Sequence, residues 1–312
     1  MQLSLPLSLA RWIRLQHAVG LSVLFLLGLQ GAPAHAQTGG VLTDGNAIYS
    51  VSNGPTTIGS AGPTAIFRPE GGIDHLDQNW WWYSVVGDTR ERPFGEYGGP
   101  VISGGMTATS SFSGDTAVLT FTESRFTATY TMTLVDGATP GSARLNQSFL
   151  VTNLTNGTLN LSLFNYVDYD LNGKSDTVSE EDSSIATLIS PGLIQNVDAG
   201  TAALFQGDNP NFYQVAEYSN LLSWLQDAAL INGTGDLNNT GLPFGPEDFT
   251  AAMQWDLVLA QGGSALVTGY LEIVPEPSSI ALLLVAGAGL GVWARKRRRP
   301  SVPEQAMLEP TA

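Results

Sequence analysis

Phe126-Thr127-Ala128-Thr129-Tyr130-Thr131-Met132-Thr133-Leu134 decides the fold class. Apolar or aromatic residues hold the even positions and threonine holds every odd one between them. A period of two places successive side chains on opposite faces of an extended chain, so this is a strand with one apolar and one hydroxyl face. The β-branched threonines favour the same backbone. Just upstream, Thr116-Ala117-Val118-Leu119-Thr120-Phe121-Thr122 reads as its partner, with the turn at Glu123-Ser124-Arg125. Downstream, Asp136-Gly137 and Pro140-Gly141 mark the next turn. Residues 144–152 form another strand, Asn156-Gly157 a hairpin turn, and residues 158–169 a longer strand. Residues 253–260 and 264–273 flank Gln261-Gly262-Gly263 in a further hairpin. Such short spacing predicts an all-β, antiparallel β-sandwich. Only residues 218–230 read as helix, with Leu221, Leu222, Leu225 and Ala229 on one side and Ser219 or Asn220 as cap. That segment is expected to be a short crossover lying over one sheet.

Composition narrows the chemistry. The chain has 312 residues, no cysteine, and 28 acids against 13 bases. Without cysteine there is no disulfide framework, thiolate metal site or cysteine nucleophile. A net charge of -15 argues against a nucleic-acid partner, since phosphate contacts need Lys and Arg. Seven of the bases sit in the two ends. Residues 37–274 hold six bases and 25 acids, a net charge of -19. Such a body attracts divalent cations and repels polyanions.

Both ends carry address-like segments. Arg11, Arg14 and His17 precede an uncharged apolar run at residues 18–29, followed by Ala34-His35-Ala36. Basic flank, apolar centre and small-residue cleavage site compose a secretory signal peptide over residues 1–36, cut between Ala36 and Gln37. The run is too short to span a bilayer, which needs roughly 20 residues. At the other end, Val274-Pro275-Glu276-Pro277-Ser278 leads into an apolar stretch at residues 279–294. Arg295-Lys296-Arg297-Arg298-Arg299 follows at once. Cations stay on the cytoplasmic side, so the body of the protein is expected outside, anchored by a transmembrane helix.

This tripartite end resembles the PEP-CTERM sorting signal of exported bacterial proteins, over residues 274–299. The resemblance implies an exosortase-type enzyme that reads Pro275, Glu276 and Pro277 and releases or transfers the protein to the cell surface or medium. It also implies association with exopolysaccharide. Members of that family usually stop soon after the basic cluster, whereas here residues 300–312 continue as a cytoplasmic tail, read as disordered. A plain carboxy-terminal anchor has the same span and topology. The body, residues 37–273, is expected to be one sandwich domain.

Two clusters in the body carry candidate chemistry. With the signal peptide removed, His75 is the only histidine, so a multi-histidine zinc site is excluded and any Ser-His-Asp triad must use it. There is no Gly-x-Ser-x-Gly elbow and no Gly-rich phosphate loop. His75 and Asp77 precede Trp80-Trp81-Trp82-Tyr83. A strand over residues 79–86 puts Trp80 and Trp82 on one face, where they form a flat ligand platform for sugar rings or pack as core. The second cluster is Asp168-Tyr169-Asp170-Leu171-Asn172-Gly173, with Asp176 beyond. Oxygens at alternate positions followed by glycine match the first half of an EF-hand loop, giving Asp168, Asp170, Asn172 and Asp176 as calcium ligands. The match then fails: Ser179 stands where the bidentate glutamate belongs, and the preceding segment reads as strand. A solvated acidic turn is the other reading. Asp74, Asp77, Glu91, Asp168 and Asp170 form the pool of carboxylates for glycan chemistry, with no pair selected by spacing.

The resulting expectation is a non-catalytic component of the cell surface or extracellular matrix, without a cofactor unless calcium binds. The alternative is a carbohydrate-active enzyme or lectin that uses carboxylates and the tryptophan platform.

Overall fold

The alternation of residues 126–134 runs through β8 (Phe126–Asp136), whose even residues are buried and odd ones half-buried up to Leu134. This computed structural model describes residues 39–52, 65–70, 72–94, 106–171, 183–198, 200–226 and 237–275. The expected signal peptide with Ala36 and Gln37, the segment from Glu276 onward with Pro277, and Asn172 and Asp176 lie outside those residues. Among the described residues no helix is long and apolar enough to cross a membrane.

β8 pairs with β7 (Thr116–Thr122) on one side and β9 (Ala143–Asn153) on the other. β6 (Thr107–Ser113) forms the edge beyond β7. Past β9 come β17 (Ser264–Pro275), β13 (Thr201–Gly207), β12 (Leu193–Asp198), β11 (Ser184–Ser190) and β15 (Phe244–Glu247), making a nine-stranded antiparallel sheet. A five-stranded sheet runs in the order β14 (Phe212–Glu217), β16 (Phe249–Leu259), β10 (Leu159–Asp168), β4 (Gln78–Val85) and β5 (Arg92–Pro93). A small sheet of β1 (Gly39–Asp44), β2 (Ala47–Ser52) and β3 (Ala65–Arg68) completes the set.

The two large sheets face each other across an aromatic core. Trp81 of β4 stacks on Phe149 of β9 at 4.7 Å, and Tyr83 meets Phe126 edge-on at 5.0 Å. Each buried ring of this kind stabilises the fold by about 1.5–3 kcal/mol. A polar network is enclosed in that core. Asn79 Nδ2 donates to the Tyr49 hydroxyl at 2.9 Å and to Gln147 Oε1 at 3.1 Å, while Asn165 Nδ2 donates to Asn79 Oδ1 at 2.9 Å. These bonds tie the small sheet to both large ones, and only one register satisfies them.

Two expected hairpins are corrected. β9 and β10 flank Asn156-Gly157 but lie in different sheets, and so do β16 and β17 on either side of Gln261-Gly262-Gly263. Both connections are arches that cross the sandwich. Their turn residues are those of hairpins, so local chemistry does not distinguish the two. Burial does: β10 and β16 are buried on both faces over most of their length, one against the nine-stranded sheet and the other beneath a helix. Asn153 fastens the arches together. Its Nδ2 donates to the carbonyls of Gly157, Leu259 and Ala260 at 2.8, 3.0 and 3.0 Å, and its backbone N–H donates to the Gly263 carbonyl at 2.9 Å.

The helix is α1 (Asn220–Gln226), opened by a bond from the Ser223 N–H to the Ser219 carbonyl. Leu221, Leu222 and Leu225 bury against Trp80, Trp82, Phe164 and Tyr166 on the outer face of the five-stranded sheet. It lies over one sheet, as its apolar side demands. The rest of the expected helix falls at residues 227–230, outside the described residues.

Candidate functional site

The expected tryptophan platform does not exist. Trp80 and Trp82 are 4% and 2% exposed, packed against each other at 4.6 Å under α1. Their shared face is covered by the helix whose leucines they attract, so it offers no surface to a ligand. His75 is also buried, between β3 and β4, and burial lowers its imidazole to about 4. A histidine held neutral in that way donates no charge at pH 7. Asp77 is half-buried and accepts a bond from Gln78 Nε2 at 3.1 Å. Asp74 and Glu91 of the carboxylate pool serve the fold: Asp74 accepts from the Phe67 N–H at 2.8 Å, and Glu91 is 2% exposed. Asp168 and Asp170 do come together, in company with Asp248 among the described residues; Asn172 and Asp176 lie outside them. Pro275 ends β17, in register with Thr201, so the first residue of the expected sorting motif belongs to the sheet.

The concave site lies elsewhere, on the outward face of the nine-stranded sheet. Period two sends the odd residues of β8 and the even residues of β9 and β17 outward together. Thr133, Asn146, Tyr270 and Gln206 stand directly opposite one another across four strands. Thr131, Ser148 and Thr268 form the next row. These rows line a groove of about 570 Å³ that Asp208 enters from the end of β13. Amides, hydroxyls and a carboxylate in alternating rows suit a ligand that presents many hydroxyl groups.

Asp208 is fixed at every polar atom. Its N–H donates to the Thr268 carbonyl at 2.8 Å, and Oδ1 accepts from Gln206 Nε2 at 2.7 Å. Oδ2 accepts a short bond from the Thr268 hydroxyl, and the backbone carbonyl accepts from Trp255 Nε1 at 2.9 Å. Trp255 reaches that carbonyl from the opposite sheet through a slot in the sandwich. The slot exists because position 207 is glycine: a Cβ there would lie 2.4 Å from Trp255 Cζ2.

Tyr270 carries the other reactive atom of the groove. Arg144 covers its ring at 4.2 Å and pairs with Glu272 at 2.6 Å, directly across the β9–β17 ladder. Partial burial raises the phenol; Arg144 lowers it in part, while Glu272 and Asp208 push it up. Tyr270 is therefore a protonated donor, and the Asp208 side chain that shares the groove accepts from Gln206 Nε2 and the Thr268 hydroxyl. Together they can accept one proton and supply another.

None of Asp208, Tyr270, Glu272 and Arg144 stood out in the sequence. The readable signal was the polar half of each alternation: Arg144, Asn146 and Ser148 in one strand, Thr268, Tyr270 and Glu272 in another. Which strands lie side by side decides whether those halves make a site, and spacing does not contain that.

No family model matches the chain, and no curated protein matches it. Solved structures do. A candidate aldose 1-epimerase from Escherichia coli K12 is 12% identical with a TM-score of 0.43, over 76% of this chain and 99% of that one. A polysaccharide lyase is 11% identical with a TM-score of 0.37, over 76% of this chain. A candidate kojibiose phosphorylase from the human microbiome is 10% identical with a TM-score of 0.31, over 84% of this chain. The matched part is about a third of each of the latter two, 34% and 32%. The names in this set are those of sugar-acting enzymes and run against the expectation of a non-catalytic matrix component, but at these identities and TM-scores the likeness carries no argument for an activity of this chain.

Proposed function

We propose that the protein is a carbohydrate-active enzyme that binds a sugar in the groove and acts on it by proton transfer. The observation that carries this is Asp208, held at all four polar atoms in a polyhydroxyl-matching groove next to a protonated phenol. Asn146, Gln206 and the groove hydroxyls hold the sugar through its hydroxyl groups. Asp208 takes the proton from the reacting carbon or hydroxyl, and Tyr270 donates the proton that the departing or developing oxygen needs. The Arg144–Glu272 pair holds the ring of Tyr270 in place. This role passes from the tryptophans to the outer rows of the nine-stranded sheet.

The test is a panel of oligosaccharides and acidic polysaccharides, with binding followed by calorimetry and products by mass spectrometry. Asp208→Asn and Tyr270→Phe are each expected to lower kcat/KM by about 10²–10⁴-fold, the usual contribution of a proton-transfer group. Wild-type protein that neither binds nor converts any member of the panel would overturn the reading. So would an Asp208→Asn variant of full activity.

Export and sorting belong to the same proposal. The sequence at residues 1–36 supports secretion with cleavage after Ala36, and Pro275, Glu276 and Pro277 support processing by an exosortase-type enzyme. β17 delivers the chain to Pro275, immediately before Glu276. The mature enzyme then works at the cell surface or outside the cell, where polysaccharide is met. Mass spectrometry of mature protein from cells and medium is expected to begin at Gln37 and to lack residues 295–312. Residues 295–312 intact on every copy would refute processing at the motif.

A further inference from the structure

We infer that Asp168, Asp170 and Asp248 form a calcium site together with the side-chain carbonyl of Gln78. One oxygen from each of the three carboxylates lies within 4.8 Å of the others. Two oxygens on opposite sides of one calcium ion stand at most about 5 Å apart, since each bond is 2.3–2.6 Å, so a single ion reaches all three. The carboxylates come from distant parts of the chain. Asp168 ends β10, Asp170 follows two residues later, and Asp248 sits between β15 and β16. The donor set contains only oxygens, the ligands of a hard cation, with no nitrogen or sulfur to favour a transition metal.

Gln78 supplies the second, independent observation. It is fully buried, and its Oε1 makes no hydrogen bond. A buried amide carbonyl left in that state keeps the full penalty of its lost hydration, so a ligand for it is expected. Gln78 and Asp168 stand directly opposite one another in the β4–β10 ladder, and side chains so placed share a face at about 5 Å. The Gln78 amide N–H is already committed to Asp77 Oδ2 at 3.1 Å, which leaves the carbonyl as the free end. An amide carbonyl is an ordinary calcium ligand, and here it sits in the row of the carboxylate that begins the cluster. The Tyr166 hydroxyl lies 3.5 Å from Asp168 Oδ2, close enough to report on an ion.

This site differs from the EF-hand-like set of Asp168, Asp170, Asn172 and Asp176. The first two residues of that motif are kept, and the remaining oxygens come from β4 and the approach to β16. It is also separate from the sugar groove, on the other sheet, so its test is independent of activity.

The test uses the full chain, stripped with a chelator and titrated with calcium chloride alone. One binding event per chain is expected by calorimetry, with Tm rising by about 5–10 °C at calcium a hundredfold above Kd. Terbium in calcium's place should give luminescence on excitation of the tyrosines, and calcium should quench it. Asp170→Asn and Asp248→Asn should each weaken binding at least tenfold, whereas Asp115→Asn, an exposed acid outside the cluster, should not. No heat, no Tm shift and no terbium signal in the wild-type chain would overturn the site. Weak heats that all three variants preserve would also overturn it, as diffuse binding to an acidic surface. If the two site variants fail to fold, the wild-type terbium and Tm results decide alone.

Discussion

Asn153→Ala is expected to lower Tm by about 10 °C. The side-chain N–H groups of Asn153 serve three carbonyls, those of Gly157, Leu259 and Ala260, and its Oδ1 accepts from the Thr155 N–H at 2.7 Å. Asn153 itself is 1% exposed, so water does not replace the lost donors. Each deprived buried group costs about 1–3 kcal/mol, and the carbonyls share two N–H groups, so the loss is about 3–4 kcal/mol. A domain of this size loses about 3 °C per kcal/mol. Asn153→Asp should fare no better, because it keeps the acceptor and removes the donors. Thermal unfolding followed by circular dichroism measures both; a fall below about 2 °C would show that the arches hold without the amide.

Arg125→Met is expected to cost about 3 kcal/mol, read as a lower urea midpoint with an unchanged slope. Arg125 fills a fork between two acids. Its Nη1 lies 2.8 Å from Asp88 Oδ1 and its Nη2 2.7 Å from Glu123 Oε1, and the two acid side chains are only 7% and 4% exposed. The acids hold the guanidinium firmly in its charged form against the burial that opposes it. Methionine keeps the stem and removes the fork, leaving two buried carboxylates near each other. The surface pair Arg68 and Asp74, 3.9 Å apart with side chains 40% and 28% exposed, gives the comparison. Arg68→Met should change stability by less than about 1 kcal/mol. Equal effects from the two substitutions would show that burial of Asp88 and Glu123 contributes nothing.

The fold class was legible because residues 116–134 state it locally: alternation, β-branched residues and a turn between them suffice to define a hairpin. The helix was legible for the same reason, since Leu221, Leu222 and Leu225 repeat at helical spacing. The arches were not, because Asn156-Gly157 and Gln261-Gly262-Gly263 carry ordinary turn chemistry whichever sheet the next strand joins. The tryptophans misled for a related reason. A strand in the middle of three layers buries both its faces, and β4 has no outward side to offer. Calcium-like spacing at Asp168 and Asp170 was readable, but Gln78 and Asp248 are 90 and 80 residues away from Asp168 and are brought in only by pairing and by the approach to β16. The groove was the least legible of all, being assembled from the polar halves of four strands and one turn.

The bond from Trp255 to the Asp208 carbonyl, threaded past Gly207, makes the interior of the sandwich a template for the groove. A screen that selects variants on turnover alone would score Gly207 and Trp255 beside Asp208, although neither presents an atom to a ligand. Evolutionary tuning of such a protein has two routes to the same carboxylate, one through the exposed rows and one through the slot behind them. Repacking around Trp81, which stacks on Trp255 at 5.7 Å, would shift the carboxylate without altering a single groove residue.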